Sequence, residues 1–200
     1  MKFLLTDLKK IRKPLNEEQE AIDSKFSVLV AVKCAEAVLP MFTERFPLNE
    51  RVAAAILTAK RWIRGGELSW IDFEERRNGA FNSSRKALEF RNYYVSCAAQ
   101  TAGLAIEAAY LASKQGAEGE LARMGVLMSI KDQELSDEDN KTIKALMAKG
   151  FAGGVAAQSY LCQLRAKEAA NKEGYPDFNF DEIISQAKVE LDSIIKGVAL

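Results

Sequence analysis

The residues with the clearest chemical potential lie between positions 60 and 91. Lys60, Arg61, Arg64, Arg76, Arg77, Arg85, Lys86 and Arg91 supply eight cations against five acids, Glu67, Asp72, Glu74, Glu75 and Glu89. Trp62, Trp70, Asn78, Asn82, Ser83 and Ser84 are interleaved with them, and Tyr93 and Tyr94 follow. A guanidinium fork binds carboxylate or phosphate bidentately, so this mixture suits capture of an oxyanion. Trp, Tyr and Arg are equally the usual anchors of a protein interface. A third reading needs no ligand: a charged helix pair whose tryptophans belong to the core. The residues singled out for partner or ligand binding are Arg61, Trp62, Arg64, Trp70, Arg76, Arg77, Asn78, Arg85, Arg91 and Tyr94.

Other chemistry is poorly supplied. The 200-residue chain contains no histidine, which excludes serine–histidine and cysteine–histidine pairs and histidine-ligated zinc or iron. Hydrolysis by carboxylates alone needs no histidine, but the acids are scattered over expected surface faces and no spacing pairs two of them. No catalytic residue, metal ligand or cofactor is assigned. The acidic run Asp132–Asn140 lacks the sixth-position glycine and the twelfth-position glutamate of a calcium loop. Gly150-Phe151-Ala152-Gly153-Gly154 is neither a P-loop nor a GxGxxG after a strand. Its expected use is a flexible helix–helix connection. Cys34, Cys97 and Cys162 are odd in number and widely spaced among small apolar residues, as buried free thiols in a reducing compartment would be.

Lys+Arg and Asp+Glu both number 28, so the formal net charge is zero. A general nucleic-acid binder needs excess Lys and Arg to neutralise phosphates, so no nucleic-acid polymer is expected as a partner. The run Met1–Asp7 has too short an apolar stretch for a signal peptide. No stretch approaches the roughly 18 continuous apolar residues of a membrane span. A cytoplasmic location without a membrane partner is therefore expected.

The elements that must position these residues read as helices. Apolar residues recur at helical spacing along nearly the whole chain, and strand-like alternation is scarce. Leu4, Leu8, Ile11 and Leu15 mark a short amphipathic arm. A second helix spans about 17–46, with apolar residues on both sides and Pro40 expected to kink or split it. Asn49 is placed to cap a helix from Glu50, which Gly65-Gly66 stops. Ser69 and Asp72 resemble a capping box before a helix holding Trp70, Ile71, Phe73, Phe81 and Leu88. From Asn92 or Tyr93 to about Ser113 runs an alanine-rich helix whose small face, Ala98 to Ala112, suits an interior place or a subunit seam. Further helices are expected at 121–130, at 137–149 behind a Ser136 cap, at 155–172, and from Asp181 with Ile183, Ile184, Ala187, Leu191, Ile194 and Ile195 on one face. Gly174-Tyr175-Pro176 reads as a turn. The expectation is an all-α compact bundle of about eight helices in one domain over 1–200.

Within it, Lys33-Cys34-Ala35-Glu36-Ala37-Val38-Leu39-Pro40-Met41-Phe42 is followed by Asn49-Glu50-Arg51-Val52-Ala53-Ala54-Ala55-Ile56-Leu57-Thr58-Ala59-Lys60-Arg61-Trp62-Ile63-Arg64-Gly65-Gly66. These segments resemble the immunity-5-like helical family of bacterial immunity proteins over about residues 28–115. The distinctive part is the Trp–Arg–Gly ending. The resemblance implies an all-α cytosolic protein that binds and neutralises a cognate protein toxin, without a cofactor. It leaves 1–20 as an N-terminal arm and 116–200 as a C-terminal extension. Family members often carry histidines where this chain reads Phe81-Asn82-Ser83-Ser84-Arg85. That departure leaves room for a different use of the scaffold: sequestration of a small anionic ligand such as a nucleotide in an arginine-rich cavity, as in phage counter-defence.

Overall fold

The computed structural model describes residues 17–114, 135–149, 151–171 and 179–197. Among them are seven helices and no strand: α1 Glu17–Arg45, α2 Arg51–Ile63, α3 Trp70–Glu89, α4 Tyr93–Ser113, α5 Asp137–Met147, α6 Phe151–Ala170 and α7 Phe180–Ile195. The all-α expectation holds. The amphipathic arm, the 121–130 helix and the Gly174–Pro176 turn lie outside the described residues.

The core forms where α1, α4 and α6 meet. Ala98, Ala102, Ala105 and Ala109 of α4 are fully buried, as are Ala157, Ala166 and Ala169 of α6. Small side chains let helix axes approach, so the alanine-rich α4 sits inside and touches α1, α2, α3 and α6. The Cys162 thiol shows how close the three come: it donates to the Ala31 carbonyl at 3.2 Å and the Thr101 carbonyl at 3.3 Å. All three cysteines are buried free thiols. Burial pushes Cys34 up to about 12 and Cys97 up to about 11, so both stay protonated at neutral pH.

By length and composition alone, Gln19–Arg45 is apolar enough to cross a membrane, with mean hydropathy 1.6. Its apolar residues are the core itself. Val28 to Val32 are buried without interruption, which uses all sides of the helix. Pro40 neither splits nor ends α1, which runs unbroken to Arg45. Pro40 lies on the exposed side, where water can reach the carbonyl its ring leaves without a donor. Buried Val38, Met41 and Phe42 hold the last turns in register.

Local signals set most boundaries. Ser69 accepts from the Asp72 amide at 3.1 Å, and Ser136 accepts from the Asp139 amide at 3.1 Å. Gly65 ends α2 at φ +92°, a conformation that favours glycine. Three expectations need correction. α2 starts at Arg51, not Glu50, and Asn49 accepts from the Arg51 amide at 3.2 Å. α6 starts at Phe151, with Gly153 and Gly154 inside the helix instead of in a linker. On α7, Ile195 is exposed while Ile194 packs on the core, because consecutive helical residues point about 100° apart.

The Ser136 cap also joins two helices. Ser136 Oγ donates to one Asp139 oxygen at 2.5 Å, and the Tyr160 hydroxyl of α6 donates to the other at 2.8 Å. These bonds, that from Ser136 foremost, hold the Asp139 carboxyl below its ordinary 3.8. A lowered carboxyl stabilises the fold above its ordinary value and loses that contribution as pH falls through the folded one. Ser136→Ala is expected to cost about 1 kcal/mol, a melting-temperature loss of about 2–4 °C at this chain length. Thermal melts at neutral and acid pH check it, and the deficit should shrink below pH 3.8.

Candidate partner-binding surface

α2 and α3 lie side by side and run in opposite directions. The start of α2 faces the second half of α3, where Asn49 donates to Ser83 at 3.1 Å. The end of α2 faces the start of α3, where Arg61 pairs with Asp72 at 3.7 Å. This geometry spreads the residues singled out from sequence along an α3 about 30 Å long. At one end, Trp62 packs half-buried on the core, Arg64 approaches Glu190 of α7 at 3.8 Å, and half-exposed Trp70 meets Phe73 and Tyr110. In the middle, Arg76 pairs with Glu75 at 3.4 Å. Arg77 turns inward and also donates to Asn78 at 3.3 Å. At the far end, Arg85 bonds Asn82, Arg91 holds the α3–α4 turn at φ 54°, and Tyr94 sits edge-on to Tyr93. The structure therefore brings these ten together in three local groups, not in one place.

Two polar networks serve architecture. Glu107, in the middle of α4, accepts from Arg77 Nε of α3 and from Gln158 Nε2 of α6. The Arg77 guanidinium also lies 5.0 Å from the Phe81 ring centroid. Burial pushes the Glu107 carboxyl up against the opposing pull of Arg77 and Gln158. The second network joins α7 to the α1–α2 pair. Lys33 pairs with Glu190 at 2.7 Å and with Glu36 at 3.6 Å, and Lys60 pairs with Glu36 at 2.6 Å. Burial alone would lower the Lys33 ammonium, but Glu190 and Glu36 outweigh it and raise the group. A raised lysine stabilises the fold below its ordinary value, so this network holds throughout the neutral range.

A concave surface lies at the end where α1 turns into α2. A groove of about 580 Å³ opens between the Phe46–Glu50 turn and the Asn82–Lys86 stretch of α3. Its floor is built from hydrogen bonds: Asn49 bridges the Arg51 amide and Ser83, and Ser83 donates to the Gly79 carbonyl at 2.8 Å. Arg45, Arg51 and Lys86 line it. Its rim is apolar. Leu48 is 96% exposed, and Phe90, 62% exposed, stands 6.0 Å from Phe46 by ring centroids. Tyr93, 50% exposed, and Tyr94 continue the aromatic edge along the α3–α4 turn.

Sequence reasoning missed Arg45, Arg51 and Leu48 as surface residues, and counted Lys86 without placing it. The available signal was Leu48 itself, a bulky apolar residue in a Pro-containing turn where a polar one would serve.

Residues 20–115 match the family described as Imm-5 like putative immunity protein. The match confirms the resemblance and begins earlier than the 28 expected. It takes in nearly all of α1 and the whole of α2, α3 and α4, and with them every residue of the groove. Helices α5, α6 and α7 lie beyond the matched segment. No curated protein and no solved structure matches the chain.

Proposed function

We propose that this protein is a cytoplasmic immunity-type protein that binds and neutralises a cognate bacterial protein toxin, acting by occlusion and not by catalysis. The family match suggests an immunity-type role. One structural observation carries the finer reading: the large apolar and aromatic residues Leu48, Phe90, Tyr93 and Tyr94 are left in solvent at the α1–α2 and α3–α4 turns inside the matched segment, with Arg45, Arg51 and Arg91 in or beside those turns. Exposed aromatic and apolar residues rimmed by charge mark protein-binding sites, because their burial by a partner supplies affinity. The alternative, sequestration of a small anionic ligand by Arg61, Arg64, Arg76, Arg77, Arg85 and Arg91, is weakened by their spread from the end of α2 to the α3–α4 turn and by the acids that already pair Arg61, Arg64, Arg76 and Arg77.

The test is co-expression with candidate toxins, beginning with any encoded beside its gene, followed by affinity measurement on the purified pair. The protein should protect growth and form a stoichiometric complex. Leu48→Asp combined with Phe90→Ser should weaken the complex at least about tenfold, or 1.4 kcal/mol, with the melting temperature unchanged. Full protection and unchanged affinity in that variant would remove this surface from the proposal.

A further inference from the structure

The groove gathers three cations that no carboxylate among the described residues pairs. Among the described residues, Lys33, Lys60, Arg61, Arg64 and Arg77 each have a carboxylate within ion-pair distance. Arg45, Arg51 and Lys86 have none there, although they line one depression together. Only Glu50 among the groove residues carries negative charge. α2 also begins here, with Glu50 as its N-cap and no further acid in its first turn. Three cations against one acid raise the local potential even in a chain of zero net charge.

The cations stand on a built platform. Gly79 faces the Arg51 stem, so a Cβ there would sit 3.4 Å from Arg51 Cβ and 3.7 Å from its Cγ and Cδ. The Asn49–Ser83 bonds tie the turn between Arg45 and Arg51 to the helix that carries Lys86. An acidic group entering the groove meets charges held on three elements at once.

We propose that the groove receives an acidic segment of the partner protein, with carboxylates on Arg45, Arg51 and Lys86 and a neighbouring apolar side chain against Leu48 and Phe90. This rests on the toxin-binding reading and deepens it by giving the partner's contact face its charge. The apolar rim selects a protein segment over a free anion, because phosphate or a small carboxylate has nothing to bury against Leu48 or the exposed Phe90 ring. Charge complementarity of this kind sets encounter rate and discrimination more than bulk affinity.

The probe is a fluorescein-labelled peptide alternating glutamate with leucine and phenylalanine, compared with its glutamine counterpart by fluorescence anisotropy on the full-length protein. The acidic peptide should bind and the glutamine peptide should not, and affinity should fall as salt rises. Arg51→Glu with Lys86→Glu should weaken binding at least tenfold without moving the melting temperature. Lys188→Glu, on the exposed side of α7, should leave it unchanged. Equal binding of the two peptides, or retained binding in the charge-reversed variant, would overturn the proposal. So would displacement of the peptide by inorganic pyrophosphate at comparable affinity, which would make the groove a phosphate site. Absence of binding by either peptide overturns it as well. Toxin binding that survives Arg51→Glu with Lys86→Glu but is lost in Leu48→Asp with Phe90→Ser would sink this inference and leave the immunity reading standing.

Discussion

Gly153→Ala is expected to destabilise the protein by about 3 kcal/mol, a large part of the roughly 5–15 kcal/mol that holds a domain of this kind together. The residue lies inside α6, where alanine normally improves a helix by about 1 kcal/mol over glycine. Here a Cβ would fall 2.0 Å from the Leu146 carbonyl oxygen and 3.0 Å from Lys149 Cβ. A backbone carbonyl in α5 cannot rotate away as a side chain can, so the α5–α6 pair would have to separate. Gly79→Ala supplies the opposite sign. Its Cβ would make ordinary contact with Arg51 at 3.4 Å, so the helix-propensity gain of about 0.5–1 kcal/mol should appear as added stability. Denaturant midpoints of the two variants check both, and equal shifts would contradict the close approach of α5 and α6.

Glu107→Ala should cost about 2–3 kcal/mol by chemical denaturation. The side chain is 12% exposed and accepts from Arg77 and Gln158. Gln158 is fully buried, and its Oε1 already has no partner among the described residues. Removing the carboxylate would orphan its amide nitrogen too, and each buried polar group left unpaired costs about 1–3 kcal/mol. The figure stays below the upper range for a broken buried ion pair because Arg77, 37% exposed, can turn to water. Glu107→Gln keeps an acceptor in place and should lose less. The pH dependence separates charge from packing. Burial raises the Glu107 carboxyl above its ordinary 4.5. An acid raised in the folded state contributes most below its ordinary value and loses stability as pH climbs towards the folded one. The advantage of the native protein over Glu107→Gln should therefore be widest in acid and narrow as pH rises above 4.5.

Both effects involve α6: Gly153 packs against α5, and Gln158 reaches Glu107 of α4. Glu107 lies within 20–115, whereas Gln158 and Gly153 lie beyond it. The C-terminal half thus supplies the partner for a buried carboxylate that the matched segment alone would leave to Arg77.

Much of this was legible in the linear chain. Helical periodicity, the Ser69 and Ser136 caps, the Gly65-Gly66 stop and the alanine-rich 93–113 stretch depend on neighbours within a turn or two. Local sterics and hydrogen bonding therefore suffice to read them, and they delivered an all-α fold with α4 inside. Reading failed where distant packing overrules local preference. Pro40 sits in an unbroken helix because its ring faces water, and Gly153 and Gly154 sit in a helix instead of a linker, Gly153 because a carbonyl from α5 occupies the space.

The same division governs the surface. Sequence by itself determined that the cations and aromatics of 60–94 would be displayed on helices, since composition and spacing say that much. Only the tertiary structure decided which stay available. The antiparallel α2–α3 pairing sets Arg61 on Asp72, Arg77 turns to Glu107 in the interior, and the Phe46–Glu50 turn comes to face Lys86. Whether a charge is neutralised or left for a partner depends on carboxylates brought near by the fold, and that distance is not written in any local stretch of chain.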